Sequence, residues 1–345
     1  MNIRSEQELI YHFRELLRDD PDLEWADFQE AGHDDHGGGN VYLHLDGRTL
    51  EYQVEFKLKP SIPDLEHIPV RKDHFDILLV APHLTNRVLQ FCKEKQLCCI
   101  DLNGRALLRA EGLLVDRRAL PGRSFSYQLE PRNVFAGKSG RIVRSLLTGR
   151  DQIWTQAELV KRTHASSGMV SRLVQYFVSQ SYLEKLSARE YRISDFNGLL
   201  DEWSAADKFQ ERCSTNCYAG PIDNLSKVAH ALQEWSENKA VKIAFTQWIA
   251  AFERHPYTEP AICSAYVQRL PNSATLESLR LRPVHEGGKV WLHVPKDEGV
   301  FLETRSIADL DLATDAQIYI DLKNTGLRGP EAAQALREWK GFCHQ

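Results

Sequence analysis

The sequence predicts a multidomain α/β protein, with an N-terminal α/β domain over residues 1–118, a central helical module over 119–195 and a C-terminal α+β domain over 196–345. Three observations predict it. In the first third, short apolar strands (DILLVAP, LCCIDLNG) flank an amphipathic helix. From Trp154 to Arg192 the apolar spacing is first helical and then alternating. Charge divides the chain in the same places: residues 1–116 hold 13 Lys and Arg against 22 Asp and Glu, whereas 117–195 holds 14 against 6, within a net charge of -5. At 345 residues and 42% apolar content, the chain can build two or three cores.

The chain starts MNIRSEQELIYHFRELLRDD, an amphipathic helix over Ser5–Arg18 and not a signal peptide. No apolar run reaches the length of about 18 residues that a membrane helix needs, so a cytoplasmic protein without a membrane partner is expected. After the loop AGHDDHGGGN, the segment NVYLHLDGRTLEYQVEFKL reads as two strands joined at Asp46-Gly47. Strand DILLVAP, a helix over Thr85–Lys95 and strand LCCIDLNG follow. This order resembles the restriction-endonuclease-like fold, whose carboxylate and Glu-x-Lys signature would fall on Glu55-Phe56-Lys57. Such nucleases hold Mg²⁺ with two acidic side chains and use the Lys to support the attacking water. Glu55 and Lys57 share a strand face. Their cross-strand neighbours fall near Gly38–Asn40, and Asn40 adds no negative charge. Asp46 sits in the turn, and Asp34 or Asp35 would reach back from the glycine-rich loop. An inactive nuclease-like scaffold is therefore expected. Glu55, Lys57, Asn40 and Asp35 are the residues to test if it cuts DNA, and Mg²⁺ is the one cofactor that reading would need. His33, Asp34, Asp35 and His36 read as a solvated loop.

The central module reads as a winged helix-turn-helix. A helix over Arg141–Thr148 contributes Ile142, Val143, Leu146 and Leu147. Thr155 with Glu158 forms a capping-box pattern opening a helix over Gln156–Thr163. His164 and Ala165 turn, Ser166 or Ser167 caps the next helix, and Val170, Leu173, Val174 and Phe177 recur at helical spacing. The face left over carries Met169, Ser171, Arg172, Gln175 and Tyr176, the residue types that reach base edges from a recognition helix. YLEKLSAREYRIS alternates around Ser187-Ala188 as a hairpin, the wing, with Arg189 and Arg192 towards its tip. The basic middle offers Arg117, Arg118, Arg123, Arg132, Lys138, Arg141, Arg144, Arg150, Lys161, Arg162 and Arg172 to phosphates, which makes steep salt dependence the expectation. The candidate DNA contacts are Thr155, Lys161, Arg162, Ser166, Ser167, Met169, Ser171, Arg172, Gln175, Arg189, Arg192, Arg141 and Arg144.

Seven cysteines (Cys92, Cys98, Cys99, Cys213, Cys217, Cys263, Cys343) lack paired spacing and suit a reducing compartment. Cys213-x-x-x-Cys217 has no second pair, and no metal is expected there. In the last third, a helix around Phe196–Ala206 precedes KAVKIAFTQWIAAFERH, a strand or helix start running into an apolar helix. AICSAYVQRL, SLRLRPV and VWLHVP read as strands, with Gly287-Gly288 as a hairpin turn. Ile318–Leu322 is an apolar element, and Gly329-Pro330-Glu331 opens a final helix, whose entry Arg328 and Glu331 are expected to fix. Asp309, Asp311 and Asp315 lack a nucleotidyltransferase pattern.

The runs VEFK, DILLVAPHLTNRVLQFCKEKQLCCIDLNGRALL, GMVSRLVQYFVSQSYLEK, LRLRPVHEGGKVWLHVP and IYIDLKNTGLRGPEAAQALREW, in this order, resemble the transcriptional-regulator family grouped with AbiEi antitoxins of type IV toxin-antitoxin systems, over roughly residues 50–340. The resemblance implies a protein that binds inverted repeats in its own promoter and opposes a nucleotidyltransferase-like toxin without a stable complex. Better-studied members carry the winged helix at the extreme N-terminus; here a nuclease-like domain precedes it. The expectation is a sequence-specific regulator of double-stranded DNA, an autorepressor or antitoxin acting as a homodimer. The alternatives are a Mg²⁺-dependent endonuclease targeted by the winged helix, and an interaction scaffold.

Overall fold

A computed structural model describes residues 1–20, 23, 26–30, 39–45, 48–68, 76–110, 113–127, 133–326 and 328–344. Two compact units emerge: Met1–Pro131 with Ser179–Ser181, and Arg132–Val178 with Tyr182–Gln345. Asp34, Asp35, His33, His36, Asp46 and Arg132 lie outside the described residues.

In the first unit, β1 (Asn2–Ile3) leads into α1 (Glu6–Asp19), which Ser5 caps by accepting from the Glu8 N–H. Strands β2 (Ala26–Glu30), β3 (Gly39–Leu45) and β4 (Arg48–Phe56) are successively antiparallel. After the one-turn α2 (Ile62–Leu65) come β5 (Asp76–Ala81), α3 (Asn86–Lys95) and β6 (Cys98–Asp101), with β4, β5 and β6 parallel. β7 (Ala106–Ala110) and β8 (Leu113–Arg117) complete a seven-stranded sheet in chain order from β2 to β8, and β9 (Ser126–Tyr127) pairs with β1. Both faces are covered, which explains the unbroken apolar run of β5. Leu78 and Val80 pack under α1 with Phe13 and Leu16, whereas Leu79 and Ala81 pack under α3 with Val88 and Cys92. The buried Asp101 ties the β5–α3 and β6–β7 loops together by accepting from the N–H groups of Leu84, Asn103 and Arg105.

The second unit opens with α4 (Gly137–Thr148), followed by β10 (Trp154–Thr155), α5 (Gln156–Thr163) and α6 (Ser167–Ser179). β11 (Leu183–Lys185) and β12 (Glu190–Ile193) form an antiparallel hairpin, and β10 joins them to give a three-stranded sheet in the order β10-β12-β11. α7 (Phe196–Ala206), α8 (Phe209–Arg212), β13 (Cys213–Ala219), α9 (Leu225–Asn238), β14 (Ile243–Thr246), α10 (Gln247–Arg254), β15 (Cys263–Val267), α11 (Ser273–Ser278), β16 (Arg282–Val284) and β17 (Val290–Pro295) follow. A 3-10 turn at Glu298–Phe301 leads to β18 (Arg305–Ile307), β19 (Leu310–Leu312), α12 (Asp315–Lys323) and α13 (Gly329–Glu338). Their mixed sheet runs β16-β13-β17-β15-β14-β19-β18.

The expected hairpin at Gly287-Gly288 is not formed. β13 lies between β16 and β17 and pairs antiparallel with both, so the glycines carry the chain over β13. A Cβ on Gly288 would lie 2.6 Å from the Tyr218 carbonyl oxygen, which is why only glycine fits. The apolar run Ile318–Leu322 is helical, and α12 is buried on nearly every side. One continuous core links α4, α5 and α6 to the mixed sheet, running from Ile142 and Val170 through Phe245 to Leu336.

Candidate nucleic-acid interface

Local chemistry sets the two helices that matter most. The Thr155 hydroxyl accepts from the Glu158 N–H at 3.2 Å while Glu158 accepts from the Thr155 N–H at 2.8 Å, a complete capping box. These bonds hold the Glu158 carboxyl below its usual range. α5 stops at His164, which adopts the left-handed conformation at φ 54°. Ser166 then caps α6 by accepting from the Met169 N–H. Val170, Leu173, Val174 and Phe177 are buried against the core, so the helix is held by one face and its rotation is fixed.

The opposite face carries the candidate contacts. Ser166, Ser167, Arg172 and Gln175 are exposed and Ser171 is half-buried. Lys161 is exposed at the end of α5, and Arg189 is exposed in the hairpin between β11 and β12. Arg172, Lys161 and Arg189 have no ion-pair partner among the described residues, so their charge is available to a ligand. Arg192 is exposed but paired with Glu184 across the hairpin at 2.8 Å. Lys185 and His164, which the sequence pattern does not single out, are also exposed. The signals for them were a lysine in the hairpin and a turn residue between two helices.

Five of the expected contacts are committed elsewhere. Arg144 is 7% exposed and donates from Nε and Nη2 to the side-chain Oε1 of Gln317 at 3.1 and 2.7 Å. Arg141 forms a two-pronged pair with Asp297, both bonds at 2.8 Å. The cause is the same for both: α12 and the 3-10 turn cover the side of α4 that an isolated three-helix module would leave to solvent. Arg162 pairs with Glu303 and stacks over Trp154 at 5.2 Å. Met169 packs against the core, and Thr155 spends its polar atoms on the cap. Of the other basic candidates, Arg117 is bound to the buried Asp20 and Arg150 lies over the Phe196 ring at 4.3 Å.

The Glu55-Phe56-Lys57 set is arranged differently. Val54 and Phe56 face α1, which puts Glu55 and Lys57 on the α3 side of the sheet. Their side chains meet at 2.7 Å and both are more than a third exposed. Asn40 sits opposite Gln53, and its amide donates to Glu51 at 2.8 Å. Among the described residues, no group of three or more His, Cys, Asp or Glu is placed to hold a metal ion. Cys213 and Cys217 carry free thiols, and burial pushes Cys213 up to about 12. Arg328 and Glu331 face each other at 3.6 Å across the exposed entry to α13.

The polar centre of the second unit is Asp321 on α12. It is 1% exposed and accepts from Tyr266 at 2.7 Å, Gln317 at 2.8 Å and Thr246 at 2.5 Å, and pairs with Arg212. Arg212 also binds Asp207 at 2.8 Å.

The second unit thus joins a helix pair with an exposed polar face on α6, and a three-stranded sheet, to a mixed α/β domain. A family model described as "Transcriptional regulator, AbiEi antitoxin, Type IV TA system" matches residues 192–340. The match begins in β12 and covers the mixed sheet and α7 to α13, a shorter span than the resemblance read from the sequence. No curated protein and no solved structure matches the chain. Among the described residues, no helix is long and apolar enough to cross a membrane.

Proposed function

We propose that the chain is a sequence-specific DNA-binding transcriptional regulator of a toxin-antitoxin system, a winged helix-turn-helix protein that represses its own promoter. The observation that carries this reading is the outer face of α6, a helix fixed by its buried face, where Ser166, Ser167, Ser171 and Arg172 line the N-terminal half and Gln175 follows. α6 enters the major groove and reads base edges, while Lys161, Lys185 and Arg189 contact phosphates. The match of residues 192–340 to the AbiEi antitoxin regulator family supports the regulatory and antitoxin part. A homodimer places two copies of α6 on two half-sites. The functional partner is a toxin of the nucleotidyltransferase-like class. Band-shift titration of duplexes from the DNA upstream of the coding region tests this reading, which fails if no duplex is preferred over its shuffled sequence.

A second reading, a Mg²⁺-dependent endonuclease in the first unit, is favoured by the juxtaposed Glu55 and Lys57. It is disfavoured by Asn40, which brings no charge and is bonded to Glu51. Supercoiled plasmid with Mg²⁺ or Mn²⁺ decides: cleavage abolished by both Glu55→Ala and Lys57→Ala establishes it.

A further inference from the structure

A cavity of about 670 Å³ opens in the second unit between the start of α4, the end of α7 and the segment after β17. Its size is that of a small-molecule site. Three features give it one chemical character. α4 begins Gly137-Lys138-Ser139 with no side-chain cap at Ala136, so its first N–H groups are open to an anion. Gly137 holds φ at +54°, a conformation a side chain would resist. The rim carries Lys138, Lys208 and Lys296, all exposed.

Arg144 is the independent observation. It lines the cavity, is more than nine-tenths buried, and is held through Nε and Nη2 by Gln317, yet Nη1 has no hydrogen-bond partner among the described residues. A buried guanidinium nitrogen left without an acceptor is costly, and a bound anion offsets that cost. Burial also lowers the Arg144 pKa, the sign of a cation lacking full compensation. The carboxylates at the cavity are already engaged: Asp297 with Arg141, Asp207 with Arg212, and Glu211 with Lys208. The remaining wall is apolar, built by Val134, Phe135, Trp203 and Val300.

We infer that this cavity is a binding site for a small organic phosphate of the nucleoside monophosphate class, with the phosphate at the α4 N-terminus and the base against the apolar wall. Such a ligand bridges α4, which supports the helix pair, and the 295–300 segment of the α/β domain. The inference stands apart from the DNA reading, since binding of the ligand requires no DNA. Isothermal titration calorimetry of the full chain against AMP, GMP, CMP and UMP, with adenosine and inorganic phosphate as half-ligands, tests it. At least one monophosphate is expected to bind one per chain, at least 10-fold more tightly than either half-ligand. The double change Lys138→Ala and Lys296→Ala, at exposed side chains, is expected to weaken it at least 10-fold with an unaltered melting temperature; Arg144→Lys adds a second, buried probe. No saturable binding of any monophosphate below about 1 mM, inorganic phosphate binding as tightly as the nucleotide, or affinity unchanged in the double variant each overturns the assignment.

Discussion

Arg172→Ala separates a DNA-reading helix from a merely structural one. Arg172 is exposed on α6 and has no ion-pair partner among the described residues, so its removal leaves the buried face of Val170, Leu173, Val174 and Phe177 intact. The melting temperature is expected to stay within about 1 °C of the parent, as for surface changes away from packed features. If Arg172 contacts a base, the loss of specific affinity is about 1–3 kcal/mol, or about 5- to 150-fold. If it contacts a phosphate, affinity falls for all sequences and the salt slope drops by about 0.9. With Lys161, Lys185 and Arg189 on phosphates, one protomer would show a slope of about -2.7, or about -3.6 if Arg172 also contacts a phosphate. Arg141→Ala is the contrast: it breaks the two-pronged bond to Asp297 and is expected to cost about 2 kcal/mol of stability while folded protein keeps its DNA affinity. Fluorescence anisotropy from 50 to about 200 mM salt, beside urea unfolding, reads both quantities. Unchanged DNA binding by Arg172→Ala would refute the assignment of α6.

Two further outcomes follow from the packing. Burial lowers His293 to about 4, so the unfolded chain takes up a proton that the folded chain refuses between that value and the ordinary one. The contribution of this residue is full above about pH 6.5 and declines as pH falls, by about 2 kcal/mol between pH 7 and pH 4.5. Urea midpoints should show a shallower acid loss in His293→Phe; an equal loss in both proteins contradicts the burial. Gly288→Ala should destabilise by about 2 kcal/mol, because the new Cβ meets Tyr218 backbone oxygen at 2.6 Å and carbon and nitrogen at 2.9 Å. Chemical unfolding checks this, and a neutral result contradicts the path of the chain over β13.

Much of the local structure was legible because it is written in short-range chemistry. The Thr155–Glu158 box, the Ser166 cap, the hairpin around Ser187-Ala188 and the two faces of β5 each depend on residues close in sequence. What escaped depends on distant partners. Arg141 and Arg144 look like free cations because Asp297 and Gln317 are more than 150 residues away. The insertion of β13 between β16 and β17 is likewise invisible, since a glycine pair before an apolar strand signals a turn whichever strand it then crosses. The cavity at the start of α4 escaped for the same reason: its walls come from residues 133–144, 203–212 and 295–317. In the first unit, the strand register that the hairpin sets places Asn40 opposite Gln53, two residues short of Glu55, where its amide engages Glu51.

The most direct test of the central claim is an anisotropy titration of the full chain against duplexes of about 30 base pairs tiling the DNA upstream of its coding region, at physiological salt. One duplex is expected to bind at least about 1,000-fold more tightly than its shuffled sequence. Arg172→Ala with Gln175→Ala is expected to remove most of that preference. Equal affinity for every duplex, or a preference untouched by the double change, would contradict the claim.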